Sequence, residues 1–431
     1  MFWWLQFPAA LRRVVLVRLI ASIGAGGVLY LTPLVFHHAA FSASNVTGGV
    51  ALAALAGTAG RFVSGGLLDR DRPCSLPVLL AVMAALAGDL VLLQASSVAA
   101  YQGGQVLLGI AMGLYWPAIE LAVTLTAGPL GSPRGYALAR TADALGIAAG
   151  ALGGAVLALM DHIRGIYLVD LLCLSTMALL LWRKPFPAAG QHRVVEPAPA
   201  APRQGWLAPL LPILVVSLVA TAVPALMQSA LPLDLVRGSL QRPALPEGQG
   251  ALLVACQLVL LVALQWPLGR WLAERPVQQG LRLALLAFAC GALLLASSGL
   301  SAAAGLALVL LAQVPLALGL AAFLPTATQA VVELSPPNRQ GLAMALFSQC
   351  FALSAFAAPL LAGHLLDLQD HAVGLWGGLA LATLLSLPLV GLIERRQRRN
   401  LLAVLTGAED NDAALQQGLP ETLYRMGPAD D

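Results

Sequence analysis

Twelve apolar stretches, each about 20 residues long and nearly free of charge, account for most of this chain. A helix of that length crosses the hydrocarbon of a bilayer, where only helices and closed barrels satisfy their backbone hydrogen bonds. We therefore predict an all-α membrane protein with twelve transmembrane helices. They lie at roughly 14–36, 46–68, 76–98, 101–126, 136–160, 165–182, 207–233, 249–272, 280–299, 302–331, 342–366 and 373–393.

The composition excludes several classes of function. Of 431 residues only 10% are charged, against about 25% in soluble domains, which excludes a soluble enzyme and a nucleic-acid binder. Five cysteines without metal-type spacing indicate neither a disulfide framework nor a metal site. The phosphate-binding pattern GxxxxGK[ST] is absent, so the chain has no P-loop for ATP hydrolysis. We expect no cofactor and no enzymatic activity.

Basic residues predict the orientation. If the N-terminus is cytoplasmic, most of the 24 Lys and Arg residues fall beside cytoplasmic segments, and only Arg164, Arg237 and Arg242 fall outside, with Arg140 inside a span. This asymmetry follows the positive-inside rule. We expect a multi-pass protein of the plasma (inner) membrane with both termini in the cytoplasm.

Polar segments mark the boundaries between parts of the chain. Residues 183–206 are rich in Pro, Ala and charge, and predict a cytoplasmic linker between helical bundles 1–182 and 207–396. Residues 397–431 form an acidic tail that we expect to be disordered. Such a tail is either a solvated end or a partner-binding segment, and the sequence leaves both open.

The two bundles match each other in sequence at offsets of 205 to 208 residues. The pairs include Gln105 with Gln313, Pro117 with Pro325, and Asp161 with Asp367. Two homologous six-helix halves imply a pseudo-two-fold axis along the membrane normal and a cavity where the halves meet. This architecture is typical of transporters that work by alternating access.

The loop after the second span carries a motif. Residues 60–72, GRFVSGGLLDRDR, resemble the GxxxDR signature of the major facilitator superfamily, and the resemblance covers roughly residues 11–396. The corresponding loop of the second half, after the eighth span, has Glu274 at the position where the family has Asp. The resemblance implies that these loops latch the outward-facing state through Gly65, Asp69, Arg70, Arg72, Gly269, Arg270, Glu274 and Arg275.

Two departures from the family pattern argue against a transporter that exchanges drugs for protons. Members with that activity often carry an Arg in the fourth helix where this chain has Gln105, and a Gly-Pro pair in the fifth helix where it has Gly150-Ala151. The glycines around Ala151 are typical of close helix packing.

Five ionisable residues lie inside predicted spans, namely Asp89, Glu120, Arg140, Asp143 and Asp170. Glu120 and Arg140 are equally distant from the turn near residue 130, which predicts an ion pair across the hairpin, with Asp143 on the same face as Arg140. The pair is either a proton-coupling group or a structural ion pair. Asp89 is a candidate protonation site, and Asp170 is expected to be structural, near Arg164.

The resemblance also implies which helices line the cavity. In the family these are the first, fourth, seventh and tenth, which here carry Tyr30, Tyr115, Trp116, Gln228, Gln313 and Phe323. Such an apolar, aromatic pocket suits an amphipathic or weakly charged solute.

We therefore expect a monomeric secondary transporter that moves a small organic solute, with proton coupling favoured over uniport and export over import. Its partners would be the lipid bilayer, the solute and protons. The alternative is a transporter-like receptor or assembly factor that no longer transports.

Overall fold

A computed structural model describes residues 6–70, 72–128, 132–188, 207–273, 275–335 and 340–394. These residues contain twelve helices long and apolar enough to cross a membrane, which confirms the predicted fold class. The helices are α1 (Ala9–His38), α2 (Ala43–Asp69), α3 (Ser75–Gln94), α4 (Val98–Thr126), α5 (Ser132–Leu159), α6 (Gly165–Arg183), α7 (Leu211–Arg237), α8 (Glu247–Ala273), α9 (Val277–Ser298), α10 (Gly305–Leu334), α11 (Gln340–Gln369) and α12 (Val373–Glu394).

Local sequence explains where two of the helices begin. The Ser42 and Ser97 hydroxyls accept hydrogen bonds from the backbone N–H groups of Asn45 and Ala100, both at 3.2 Å, and so cap α2 and α4. A tight turn separates α7 from the next segment at Gly238, whose φ of 80° suits a residue without a Cβ.

The helix pairs of one half recur in the other. In the N-terminal half (α1–α6), α1 packs on α5 and α2 on α4, while in the C-terminal half α7 packs on α11 and α8 on α10. Between the halves, α2 packs on α11 and α5 on α8. This repetition is the pseudo-two-fold arrangement that the internal duplication predicts.

The glycines of α5 bring that helix very close to α1. A Cβ on Gly150 would lie 1.9 Å from the Ile23 carbonyl oxygen, and one on Gly146 would lie 2.8 Å from the Leu19 carbonyl oxygen. Residues at these positions must therefore lack a side chain, which is the packing role predicted for the glycine series.

The two ends of the molecule differ. We call the end where α1 and α7 begin and α6 ends the linker end, and the opposite one the far end. At the far end the halves touch: a Cβ on Gly363 of α11 would lie 1.9 Å from the Thr47 hydroxyl of α2, and one on Gly248 of α8 would lie 3.0 Å from the Leu159 Cα of α5. At the linker end, a Cβ on Gly65 or Gly269 would meet no atom of the described residues within 4 Å.

The chain after α6 returns to the linker end of the N-terminal half. Pro73 and Ala188 form an isolated antiparallel bridge, and the Cys74 N–H donates to the Pro187 carbonyl at 3.0 Å. The rest of the predicted linker and the acidic tail lie outside the described residues.

Candidate functional site

A cavity of about 340 Å³ lies between the two halves. We call it the central cavity. Residues of α1, α2, α4, α7 and α11 line it, and its polar side chains are Thr32, Arg61, Gln105, Thr221 and Gln228. The rest of the lining is apolar and includes Met112 and Phe351.

The six cavity residues predicted from the resemblance have different positions. Gln228 lines the central cavity and donates a weak hydrogen bond of 3.4 Å to the Tyr30 hydroxyl of α1. Gln313 and Phe323 are instead buried inside the C-terminal half. The Gln313 amide donates to the Val309 carbonyl of its own helix, and Phe323 packs near Phe288.

Arg61 is the one charged residue that lines the central cavity in the part of the chain that the structure describes. Its half-buried side chain forms no ion pair with any described carboxylate. Sequence reasoning missed it for two reasons. In the family that the sequence resembles, the second helix is not among those that line the cavity. In addition, Arg61 lies only two helical turns before the basic loop, so its charge is easily assigned to that loop.

Four charged side chains form a cluster inside the N-terminal half. The guanidinium of the fully buried Arg18 (α1) donates through Nε to Asp143 (α5) at 2.6 Å and through NH2 to Glu120 (α4) at 2.9 Å. Arg140 also approaches Glu120, at 3.4 Å. The structure thus brings Glu120, Arg140 and Asp143 together, as the hairpin geometry predicts.

The hairpin prediction did not include Arg18. It pairs with both acids, whereas the Arg140 side chain is 51% exposed. The Trp116 ring lies under both guanidinium groups, 5.0 Å from Arg18 and 5.9 Å from Arg140. With Arg18 included, the cluster contains two cations and two anions, so it has no net negative charge.

A second cavity, of about 120 Å³, lies within the N-terminal half. Tyr115 and Trp116 line this cavity and not the central one, because α4 turns these side chains towards α1, α3 and α6. Asp170 of α6 also lines it, and Gly24 of α1 makes room for the carboxylate, since a Cβ there would lie 2.0 Å from Oδ1.

Asp170 has a partner that the sequence did not reveal. It lies beside Asp89 of α3, close enough for each carboxyl group to affect the charge of the other. Both are at least 95% buried, and neither Asp89 oxygen has a donor among the described residues. Arg164 does not pair with Asp170, because it donates to the Leu93 and Ala95 carbonyls at 2.9 and 3.0 Å.

Charged groups also join the halves at the far end. Asp367 of α11 accepts hydrogen bonds from the backbone N–H groups of Ala43 (3.0 Å) and Ser44 (2.8 Å), at the N-terminus of α2. Arg237 of α7 donates to Asp367 at 3.0 Å, and His38 of α1 contacts Glu247 of α8 at 2.9 Å. A helix N-terminus favours a carboxylate, so Asp367 ties α2 to the C-terminal half.

The predicted latch residues lie at the linker end. Arg70, Arg72 and Arg275 are exposed, and Arg275 lies 4.0 Å from the centre of the Trp271 ring. Asp69 and Arg270 fall near the ends of α2 and α8, whereas Glu274 lies outside the described residues.

Comparison with known proteins supports the architecture. The model of the Major Facilitator Superfamily matches residues 213–409. A crystal structure of a peptide transporter POT in complex with alafosfalin has a TM-score of 0.72 and 15% identity over 91% of this chain and 95% of its own. The nucleoside transporter NupG has a TM-score of 0.73 and 10% identity over 89% and 99%.

A POT family transporter in complex with 5-aminolevulinic acid gives a TM-score of 0.71, with 13% identity over 90% of this chain and 97% of its own. No curated protein matches the chain in sequence. At these identities, the similarity to the three solved structures concerns the fold.

Proposed function

We propose that this chain, a member of the major facilitator superfamily by the sequence of its C-terminal half and by the fold of the whole, moves a small organic solute by alternating access. One observation carries the proposal. The central cavity lies between two similar halves that touch at the far end, whereas at the linker end Gly65 and Gly269 meet no described neighbour. Rocking of the halves would expose the same cavity to the other side.

The direction of the opening follows from the charge distribution. The positive-inside rule places the linker end in the cytoplasm, with both termini, so the described state is inward-facing. We place the protein in the plasma (inner) membrane as a monomer, and export is the favoured direction of transport.

Reporter fusions test this orientation. We expect a reporter inserted near Gln191, or fused after Arg399, to be cytoplasmic, and one inserted near Gly238 to be external, because the basic residues concentrate at the linker end. Alkaline phosphatase and green fluorescent protein fusions measure the two sides independently. External activity near Gln191 would contradict the assigned orientation.

Protons are the coupling ion in this proposal, and the structure favours Asp89 and Asp170 over the Arg18 cluster as the place where a proton binds. In the cluster, each acid already has a cationic partner. At Asp89 and Asp170, two carboxyl groups meet without a described cation, and an ionised carboxylate costs several kcal/mol to bury. A proton held between them removes one charge and supplies the missing hydrogen bond.

The groups around this acid pair are few. Tyr167 and Cys173 belong to the same helix as Asp170, and Tyr101 of α4 lies beside Tyr167. Across the second cavity are the Tyr115 hydroxyl, which has no described hydrogen-bond partner, and Ser22, which donates to Asp143. The cations Arg18 and Arg164 are bound to other groups.

Infrared spectroscopy tests the acid pair without a known solute. We expect the wild type at neutral pH to show the carbonyl band of a protonated, buried carboxyl group, and the double variant Asp89→Asn with Asp170→Asn to lose it. The exposed Asp161→Asn is the matched control and should keep the band. An unchanged band in the double variant would contradict proton binding at this pair.

Transport itself is tested in proteoliposomes. A panel of small organic solutes is loaded with and without an imposed pH gradient, and flux is compared with that of protein-free liposomes. Gradient-driven movement of at least one solute supports a proton-coupled transporter. Flux that ignores the pH gradient would indicate a uniporter.

A further inference from the structure

We infer that the central cavity binds an organic anion, and that Arg61 holds its carboxylate or phosphate group. The inference rests on the proposed transport function and names the class of solute. It starts from a cation that faces the cavity and has no acidic partner among the residues that the structure describes.

No described carboxylate compensates the charge of Arg61. Its side chain is half-buried on α2 and lines the central cavity, where every other described lining residue is uncharged. The next acidic residue in sequence, Asp69, lies eight positions further, about 12 Å along the helix axis, which is beyond a direct ion pair. A half-buried cation without a partner is costly in a membrane protein and marks a binding or transport path.

The chemistry of Arg selects the ligand. Its planar guanidinium group donates parallel hydrogen bonds to a carboxylate or phosphate, and it repels cations. Gln105 of α4 and Gln228 of α7 can donate further hydrogen bonds to the same anion or to its polar substituents.

The remainder of the cavity fits an apolar body. Met112 of α4 and Phe351 of α11 belong to the lining, and the volume of about 340 Å³ lies within the usual range of small-molecule sites. An amphipathic anion would thus contact both halves, with its charged group on the N-terminal half. Binding would draw the halves together.

The probes are four small molecules that share a benzene ring and differ in charge. They are benzoate, phenyl phosphate, neutral benzamide and cationic benzylamine. Binding to the full-length protein in detergent is measured by titration calorimetry and by the shift in thermal unfolding. This assay needs no transport, so its failure is separate from a failure of alternating access.

For the wild type we expect binding of benzoate or phenyl phosphate, and little binding of the amide or the amine. Arg61→Gln should weaken anion binding roughly 10- to 100-fold, as expected when a hydrogen-bonded charge is lost. Arg61→Lys should retain part of the affinity because it keeps the charge but not the fork. The matched control Arg183→Gln, an exposed cation at the end of α6, should bind as the wild type does.

Three results would overturn the anion site. They are equal binding of benzamide, undiminished anion binding by Arg61→Gln, and the failure of both anions to bind the wild type. A change in the unfolding temperature of Arg61→Gln without ligand serves to separate a folding defect from a loss of binding.

Discussion

Replacement of Arg18 with Gln should cause a large loss of stability in the N-terminal half. The variant leaves Asp143 and Glu120 without their closest cation, and breaking a buried ion pair costs about 3 to 5 kcal/mol. Because the Glu120 side chain is 24% exposed, we expect the lower part of that range. The measurement is the thermal unfolding midpoint and the yield of monodisperse protein in detergent.

Two further variants make this result specific. Arg140→Gln removes the same chemical group from a half-exposed position, so it should cost less than about 1 kcal/mol. The double variant Arg18→Gln with Asp143→Asn replaces the ion pair by neutral groups and should recover most of the stability. If Arg140→Gln were as harmful as Arg18→Gln, the hairpin pair and not Arg18 would hold the cluster together.

A methyl group at Gly363 should open the far end. A Cβ there would lie 1.9 Å from the Thr47 hydroxyl and 3.0 Å from the Ala43 carbonyl oxygen, so α2 and α11 must separate. We expect Gly363→Ala to raise the rate at which a membrane-impermeant maleimide, added from the far side, labels a Cys at position 228 in the central cavity. An increase of about tenfold corresponds to a shift of 1.4 kcal/mol between the two states.

The control for Gly363→Ala is Gly377→Ala on α12, where a Cβ meets no atom within 4 Å. Both changes raise helix propensity by a similar amount, so only the contact between the halves differs. Equal labelling of the two variants would show that the contact at Gly363 does not hold the far end closed.

The sequence predicted the parts of this fold that depend on polarity and repetition. Apolar length alone located the spans, and the offsets between halves predicted helix pairs that recur, such as α2 on α4 and α8 on α10. The pairing of Glu120 with Arg140 followed from counting along one hairpin, where the turn fixes the register.

Contacts between helices distant in sequence could not be predicted in the same way. Arg18 is 102 residues from Glu120 and 125 from Asp143, and Asp89 meets Asp170 from another helix. Such pairs depend on the rotation of each helix about its axis. The α5 glycines bring that helix against the α1 backbone, and Gly24 makes room for the Asp170 carboxylate. A nearly uniform apolar sequence carries little information about the rotation of a helix.

Reciprocal movement of the two ends is the central claim of the account, and distances between spin labels measure it most directly. One pair, Ser96→Cys with Ala302→Cys, lies in corresponding turns at the far end, and the other, Arg183→Cys with Leu392→Cys, lies at the linker end. Both are introduced after the five native cysteines are replaced. We expect double electron–electron resonance to show two changes in Gly363→Ala relative to the wild-type background. The far-end distance should lengthen and the linker-end distance should shorten, both in the same fraction of molecules. Lengthening at the far end with no change at the linker end would contradict alternating access.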